Sequence, residues 1–70
     1  MLRHGDIFRA RLTDNLYMID CLSSRDNSIN YYNCIRIVDG KNVIEPESFF
    51  NEECVYGGNL VKAQRKEITK

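Results

Sequence analysis

The stretch LYMIDCL, residues 16–22, decides the fold. Its β-branched, aromatic and long apolar side chains suit a pleated, half-buried surface. Turn chemistry brackets it: Thr13-Asp14-Asn15 precedes it, and the polar run SSRDNSIN, residues 23–30, follows. Asp and Asn tolerate positive φ and bond their own backbone, so such clusters punctuate strands. The segment reads as the central strand of a small β-barrel, with one acid, Asp20, set among apolar neighbours.

Working outward, DIFRARL (6–12) alternates Phe8, Ala10 and Leu12 on one face with Ile7, Arg9 and Arg11 on the other. Period two marks a half-buried strand. YYNCIRIV (31–38) is a third strand, Asp39-Gly40 is a hairpin signal, and residues 41–45 form a short fourth strand. Pro46 ends it and opens one helical turn over residues 46–51. Residues 53–56 and 59–62 read as last short strands, bent at Gly57-Gly58. Five antiparallel strands with one helical turn before the last fit an all-β, SH3-like barrel over residues 1–62. Residues 63–70 form a polar C-terminal tail. An OB-like barrel is the alternative, although it usually has longer strands.

Two-residue turns at Asp14-Asn15 and Asp39-Gly40, with a three-residue loop at Asn27-Ser28-Ile29, predict the registers. Leu12 then opposes Tyr17, Ile19 opposes Ile37, Asp20 opposes Arg36 and Ile35 opposes Ile44. Opposed residues share a face. The predicted core is Phe8, Ala10, Leu12, Tyr17, Ile19, Cys21, Ile35, Ile37 and Ile44. The second face carries Ile7, Arg9, Arg11, Met18, Asp20, Leu22, Cys34, Arg36, Val38 and Val43, with Asp20 in a ladder between Arg9 and Arg36. That face is too apolar for plain surface, so it should be covered, either by the Phe49-Phe50 turn and the last strand or by a partner chain.

Seventy residues with ten basic and ten acidic side chains make one small domain of zero formal charge. Such balance disfavours a general nucleic-acid binder, which presents a basic surface, and leaves little repulsion between copies. No run approaches the ~18 apolar residues of a membrane span, and residues 1–12 lack the pattern of a signal peptide. The expectation is a cytoplasmic protein. Three widely spaced cysteines, Cys21, Cys34 and Cys54, read as free thiols. With His4 they match a Cys3His zinc set by count, but the close Cys pair of such sites is missing. Neither a metal nor a cofactor is expected.

No catalytic set emerges. His4 lacks an orienting third group to pair it with a cysteine as a nucleophile. Asp20 with Glu45 or Glu47 is a weaker acid–base pair than an Asp20 held ionised between arginines. The candidate binding residues are Arg9, Arg11, Met18, Asp20, Leu22 and Arg36 of the second face, with Tyr31, Tyr32 and Tyr56 as a candidate aromatic groove. Adjacent strand residues point to opposite faces, so at most one of Tyr31 and Tyr32 can be core. Charge is segregated: Glu45, Glu47, Glu52 and Glu53 form an acidic stretch, and Lys62, Arg65, Lys66 and Lys70 a basic one.

His4-Gly5-Asp6-Ile7 followed by a strand resembles the opening of MazF/PemK-type toxins. The resemblance implies a dimerising SH3-like barrel that cleaves RNA. It covers fewer than ten residues. The Arg-Pro pair that follows the first hairpin in that family is absent, and no catalytic residue carries over. The function that fits best is a small non-enzymatic interaction module acting through protein–protein contacts, as a homodimer or on a larger protein partner. An RNA-binding or RNA-cleaving barrel using Arg9, Arg11, Arg36 and an exposed tyrosine is the alternative.

Overall fold

In a computed structural model, residues 2–61 are described. They form β1 (Asp6–Ala10), β2 (Leu16–Asp26), β3 (Ile29–Arg36), β4 (Lys41–Pro46), α1 (Glu47–Glu53) and β5 (Cys54–Asn59). The five strands make one antiparallel sheet in the order β4-β3-β2-β1-β5. The sheet is open, where a closed barrel was expected. The predicted 63–70 tail lies outside the described residues. Among the described residues no helix is long and apolar enough to cross a membrane.

The helix forms where expected but runs longer. Pro46 is both the last residue of β4 and the helix N-cap, with no N–H to donate to the ladder; Glu47 suits the positive helix start, and seven residues carry it to Glu53. It lies on one face of the sheet and inserts Phe50, which is 1 % exposed, into the core. The Phe50 ring lies 5.2 Å from Phe8 and 5.1 Å from Phe49, and Phe49 meets Tyr17 edge-on at 5.4 Å. Phe8, Tyr17 and Phe50, with Ala10, Ile19, Tyr32, Cys34 and Cys54, are the buried core, and half-buried Phe49 packs against it.

The hairpin registers differ from those predicted. The first two strands are joined by a longer loop, with Asp14 at φ 61°, so Phe8 opposes Tyr17. This slips the pairing without swapping faces, and Phe8, Ala10, Tyr17 and Ile19 are core as expected. Leu12 falls in the loop and is 91 % exposed.

The β2–β3 connection is a two-residue turn, Asn27-Ser28, with φ 50° and 67°. Positive φ at both positions is the type I′ geometry that matches strand twist. The hairpin arm is thus strand through most of the predicted polar loop, and its register shifts between Ile19 and Cys21 and again between Leu22 and Ser24. Each such bulge adds one residue to one strand and exchanges its faces. The outcome is Ile19 opposite Cys34 and Met18 opposite Ile35, which inverts the predicted β3. Cys34 is fully buried while Ile37 is 48 % exposed.

Residues 37–40 form a four-residue loop closed by Gly40 N–H donating to the Arg36 carbonyl at 2.8 Å. Arg36 therefore opposes Lys41 and Cys34 opposes Val43. Val43 packs on the core. Ile44, predicted as core, lies on the other face and is 58 % exposed. Cys21, also predicted as core, is exposed. Of the two expected last strands only the first forms, as β5, which runs on through Gly57-Gly58 to Asn59 with a register irregularity against β1 between Asp6 and Phe8; the expected strand over 59–62 does not form, since residues 60 and 61 are helical and residue 62 lies outside the described residues.

Candidate functional site

Because α1 seals only one face, the opposite face of the sheet stays open. Its residues follow from the pairing. One cross-strand row is Ile7–Met18–Ile35–Asn42. The next is Val55–Arg9–Leu16, extended by Ile37, whose N–H donates to the Leu16 carbonyl at 2.8 Å. The third is Cys21–Asn33–Ile44, and Asn33 Nδ2 donates to Cys21 Sγ at 3.6 Å. Ile7, Met18 and Ile35 are half-buried, and Leu16, Ile37, Ile44 and Val55 are exposed. A Cβ on Gly57 would stand 3.7 Å from Ile7 Cγ2, so its absence leaves that flank of Ile7 uncovered. Scattered single hydrophobics on a surface are ordinary, but a contiguous apolar sheet face marks an interaction site.

Of the predicted second face, Ile7, Arg9 and Met18 lie here, Arg11 does not, and on β3 Ile35 and Ile37 stand where Cys34, Arg36 and Val38 were expected. The charged ladder does not form. Arg9 Nη1 donates to Asp14 at 2.8 Å. Arg36 is spent on Asp39 at 2.7 Å, and the pair holds the Asp39 carboxyl down at about 2. Asp20 sits at the first bulge beside His4, whose Nδ1 lies 2.8 Å from the Asp20 carbonyl and 3.5 Å from its carboxylate. Arg11 leaves the sheet and donates to the Glu52 carbonyl, placing a cation at the C-terminal end of α1, which has no basic residue of its own.

Leu22 is exposed on the hairpin arm. The tyrosines do not converge on a groove. Tyr32 is buried in the core at 2 % exposure, and its hydroxyl has no partner among the described residues. Tyr31 opposes Pro46 and lines a shallow recess beside Glu47 and Asn51. Tyr56, on β5, lays its ring edge-on to Phe8. Cys34 and Cys54 are buried while Cys21 lies on the open face, so the three sulfurs are not gathered with His4. Among the described residues no group of ligating side chains could hold a metal. Burial, then the neighbouring Glu45 and Cys54, push the Cys34 thiol up to about 11.

One polar cluster escaped the sequence. Asp6 is 7 % exposed and accepts from Arg3 N–H at 2.8 Å, Asn59 Nδ2 at 2.8 Å and Tyr56 OH at 3.2 Å. Gly5 beside it has φ 89°, and a Cβ there would meet Val61 at 2.7 Å. The Gly5-Asp6 pair therefore clasps the end of β5 onto β1. The signal was the Gly-Asp dipeptide ahead of a strand; its partner Asn59 lies 53 residues away.

Comparison with protein-family models, curated proteins and solved structures finds no match to this chain.

Proposed function

We propose that this chain is a small non-enzymatic interaction module of SH3-like build that acts through protein–protein contacts made by the open face of its sheet. The observation that carries this is the apolar field of Ile7, Leu16, Met18, Ile35, Ile37, Ile44 and Val55 on the side away from α1. The antiparallel order, with β5 returning to β1 and the helix just before it, supports an SH3-like relationship.

Electrostatics favour protein over RNA as the partner. Arg9, Arg11 and Arg36 are each engaged within the chain, and the ten basic side chains are balanced by ten acidic ones. A nucleic-acid surface needs uncommitted cations aligned on phosphates.

The test is a photo-crosslinking amino acid placed at Ile35, with Ser23 on the hairpin arm as the control position, in cells that make the protein. A discrete protein adduct, to another copy or to a different chain, is expected from position 35 and not from position 23. Equal labelling from both positions, or none from 35, would sink the assignment.

A further inference from the structure

We infer that the recess between the β2–β3 hairpin arm and α1 is a docking site for an extended segment of another protein that carries two cationic side chains two residues apart. It is a second site, and it shares no residue with the open face of the sheet.

The way β4 ends creates the recess. Its last residue, Pro46, opposes Tyr31, while β3 begins two residues before Tyr31, at Ile29. The chain leaves the sheet there to enter α1, and a shallow recess of about 450 Å³ opens between the base of the arm and the helix. Ile29 and Tyr31 line it on the strand side, and Glu47, Ser48, Asn51 and Glu52 on the helix side. The helix residues follow the i, i+1, i+4, i+5 spacing of one helical face, opposite the face that carries Phe49 and Phe50. Asn30 Nδ2 donates to Glu47 Oε1 at 3.2 Å. That bond ties the arm to the helix and sets the two walls before any ligand arrives.

Charge selects the occupant. The ion pairs among the described residues are His4–Asp20, Arg9–Asp14 and Arg36–Asp39, so neither recess carboxylate is engaged in one. Arg11 reaches Glu52 but donates to its carbonyl, not to its carboxylate. Glu45 and Glu53 flank the recess residues in sequence and add to the same negative field. The recess attracts a cation and repels a nucleic acid.

Spacing narrows the choice. Glu47 and Glu52 are five residues apart, which is about 7.5 Å along a helix axis. In an extended segment, side chains two residues apart share a face at about 6.8 Å, whereas adjacent ones point to opposite faces. A helical ligand, about 10 Å across with its side chains, is too thick for so shallow a recess. The chain's own basic stretch, Lys62, Arg65, Lys66 and Lys70, has no pair two residues apart. Arg9 and Arg11 have that spacing but are already engaged. The segment therefore comes from a different protein.

An NMR titration of the isotope-labelled chain at low salt, with the peptide acetyl-Ala-Arg-Ala-Arg-Ala-amide, tests this. Saturable shifts are expected at the side-chain amides of Asn30 and Asn51, with the β1 amides unmoved as the check on folding. An exposed ion pair is worth up to about fivefold in affinity, so Glu47→Gln and Glu52→Gln should each weaken binding about three- to fivefold. Glu53→Gln makes the same charge change outside the recess and should stay within about twofold of wild type. The isomeric peptide acetyl-Ala-Ala-Arg-Arg-Ala-amide, and spermidine, should each bind about fivefold more weakly or worse. Raising the salt to about 0.5 M should remove most of the binding.

Absence of shifts at Asn30 and Asn51 at millimolar peptide overturns the inference. So does equal weakening by Glu53→Gln and by the two recess variants, which would mean a diffuse acidic surface. Equal affinity for the isomeric peptide or for spermidine also overturns it, because the spacing would then select nothing.

Discussion

Replacing Asp6 with Asn probes the clasp that joins the start of β1 to the end of β5. The side chains are isosteric, so the change removes a charge and one acceptor without opening a cavity. With its remaining oxygen still accepting from Arg3 N–H, the new amide group faces the Asn59 amide and the Tyr56 hydroxyl. The hydroxyl can turn to accept, but the Asn59 contact becomes donor against donor. Hydrogen bonds to a charged group contribute about 1.5–3 kcal/mol each, and the cost of desolvating the carboxylate is recovered when it is gone. The net expectation is a loss of about 2 kcal/mol.

At a urea m-value of about 1 kcal/mol/M for a domain this small, the midpoint falls by ~2 M with the slope unchanged. Native-state hydrogen exchange should locate the loss. The Leu60 amide, which donates to the Gly5 carbonyl at 3.0 Å, should lose protection more than the amides of β3. Tyr56→Phe should shift the midpoint much less than Asp6→Asn, because that residue is exposed and water replaces the bond. A midpoint shift below ~0.5 M for Asp6→Asn, with exchange at Leu60 unchanged, would show that the buried carboxylate does not hold β5 in place.

Two further outcomes follow from the core. Tyr32→Phe removes a buried hydroxyl that has no partner among the described residues, so it should stabilise the fold by about 1 kcal/mol in the same urea titration; a loss of stability would mean the hydroxyl is bonded after all. Thiol reagents at neutral pH should modify Cys21 quickly and leave Cys34 and Cys54 protected until unfolding, with Cys34 gaining reactivity only as the pH nears 11; equal rates at all three sulfurs would contradict the burial of β3's inner face.

The elements were legible in the sequence because each rests on local chemistry. Alternation marked β1, composition marked β2 and β3, and Pro46 marked the break from strand to helix. The face of β1 and of the first half of β2 was legible too, because Phe8, Ala10, Tyr17 and Ile19 alternate with Arg9 and Met18. The face of β3 was not. Both of its sides are apolar, Tyr32 and Cys34 on one and Ile35 and Ile37 on the other, so hydropathy does not choose between them. The choice is made by two bulges in β2 and by a turn at Asn27-Ser28. Ser is not a residue that announces positive φ, and neither bulge carries a glycine. A net shift of three residues, an odd number, moved the isoleucines from core to open surface, and with them the candidate site. The charge ladder failed for a related reason: each arginine found a closer partner in a loop than across the sheet.

The pairing of Asp6 with Asn59 has a mechanical consequence. The chain enters β1 and leaves β5 at the same end of one antiparallel pair. A load applied between residues 2 and 61 peels these strands apart from that end, so their hydrogen bonds break in succession instead of sharing the force. Resistance to pulling is then set by the first contact in the line, the Asp6 clasp, and not by the aromatic cluster behind it. Stretched between residues 2 and 61, the sheet behaves as a zipper with a single catch.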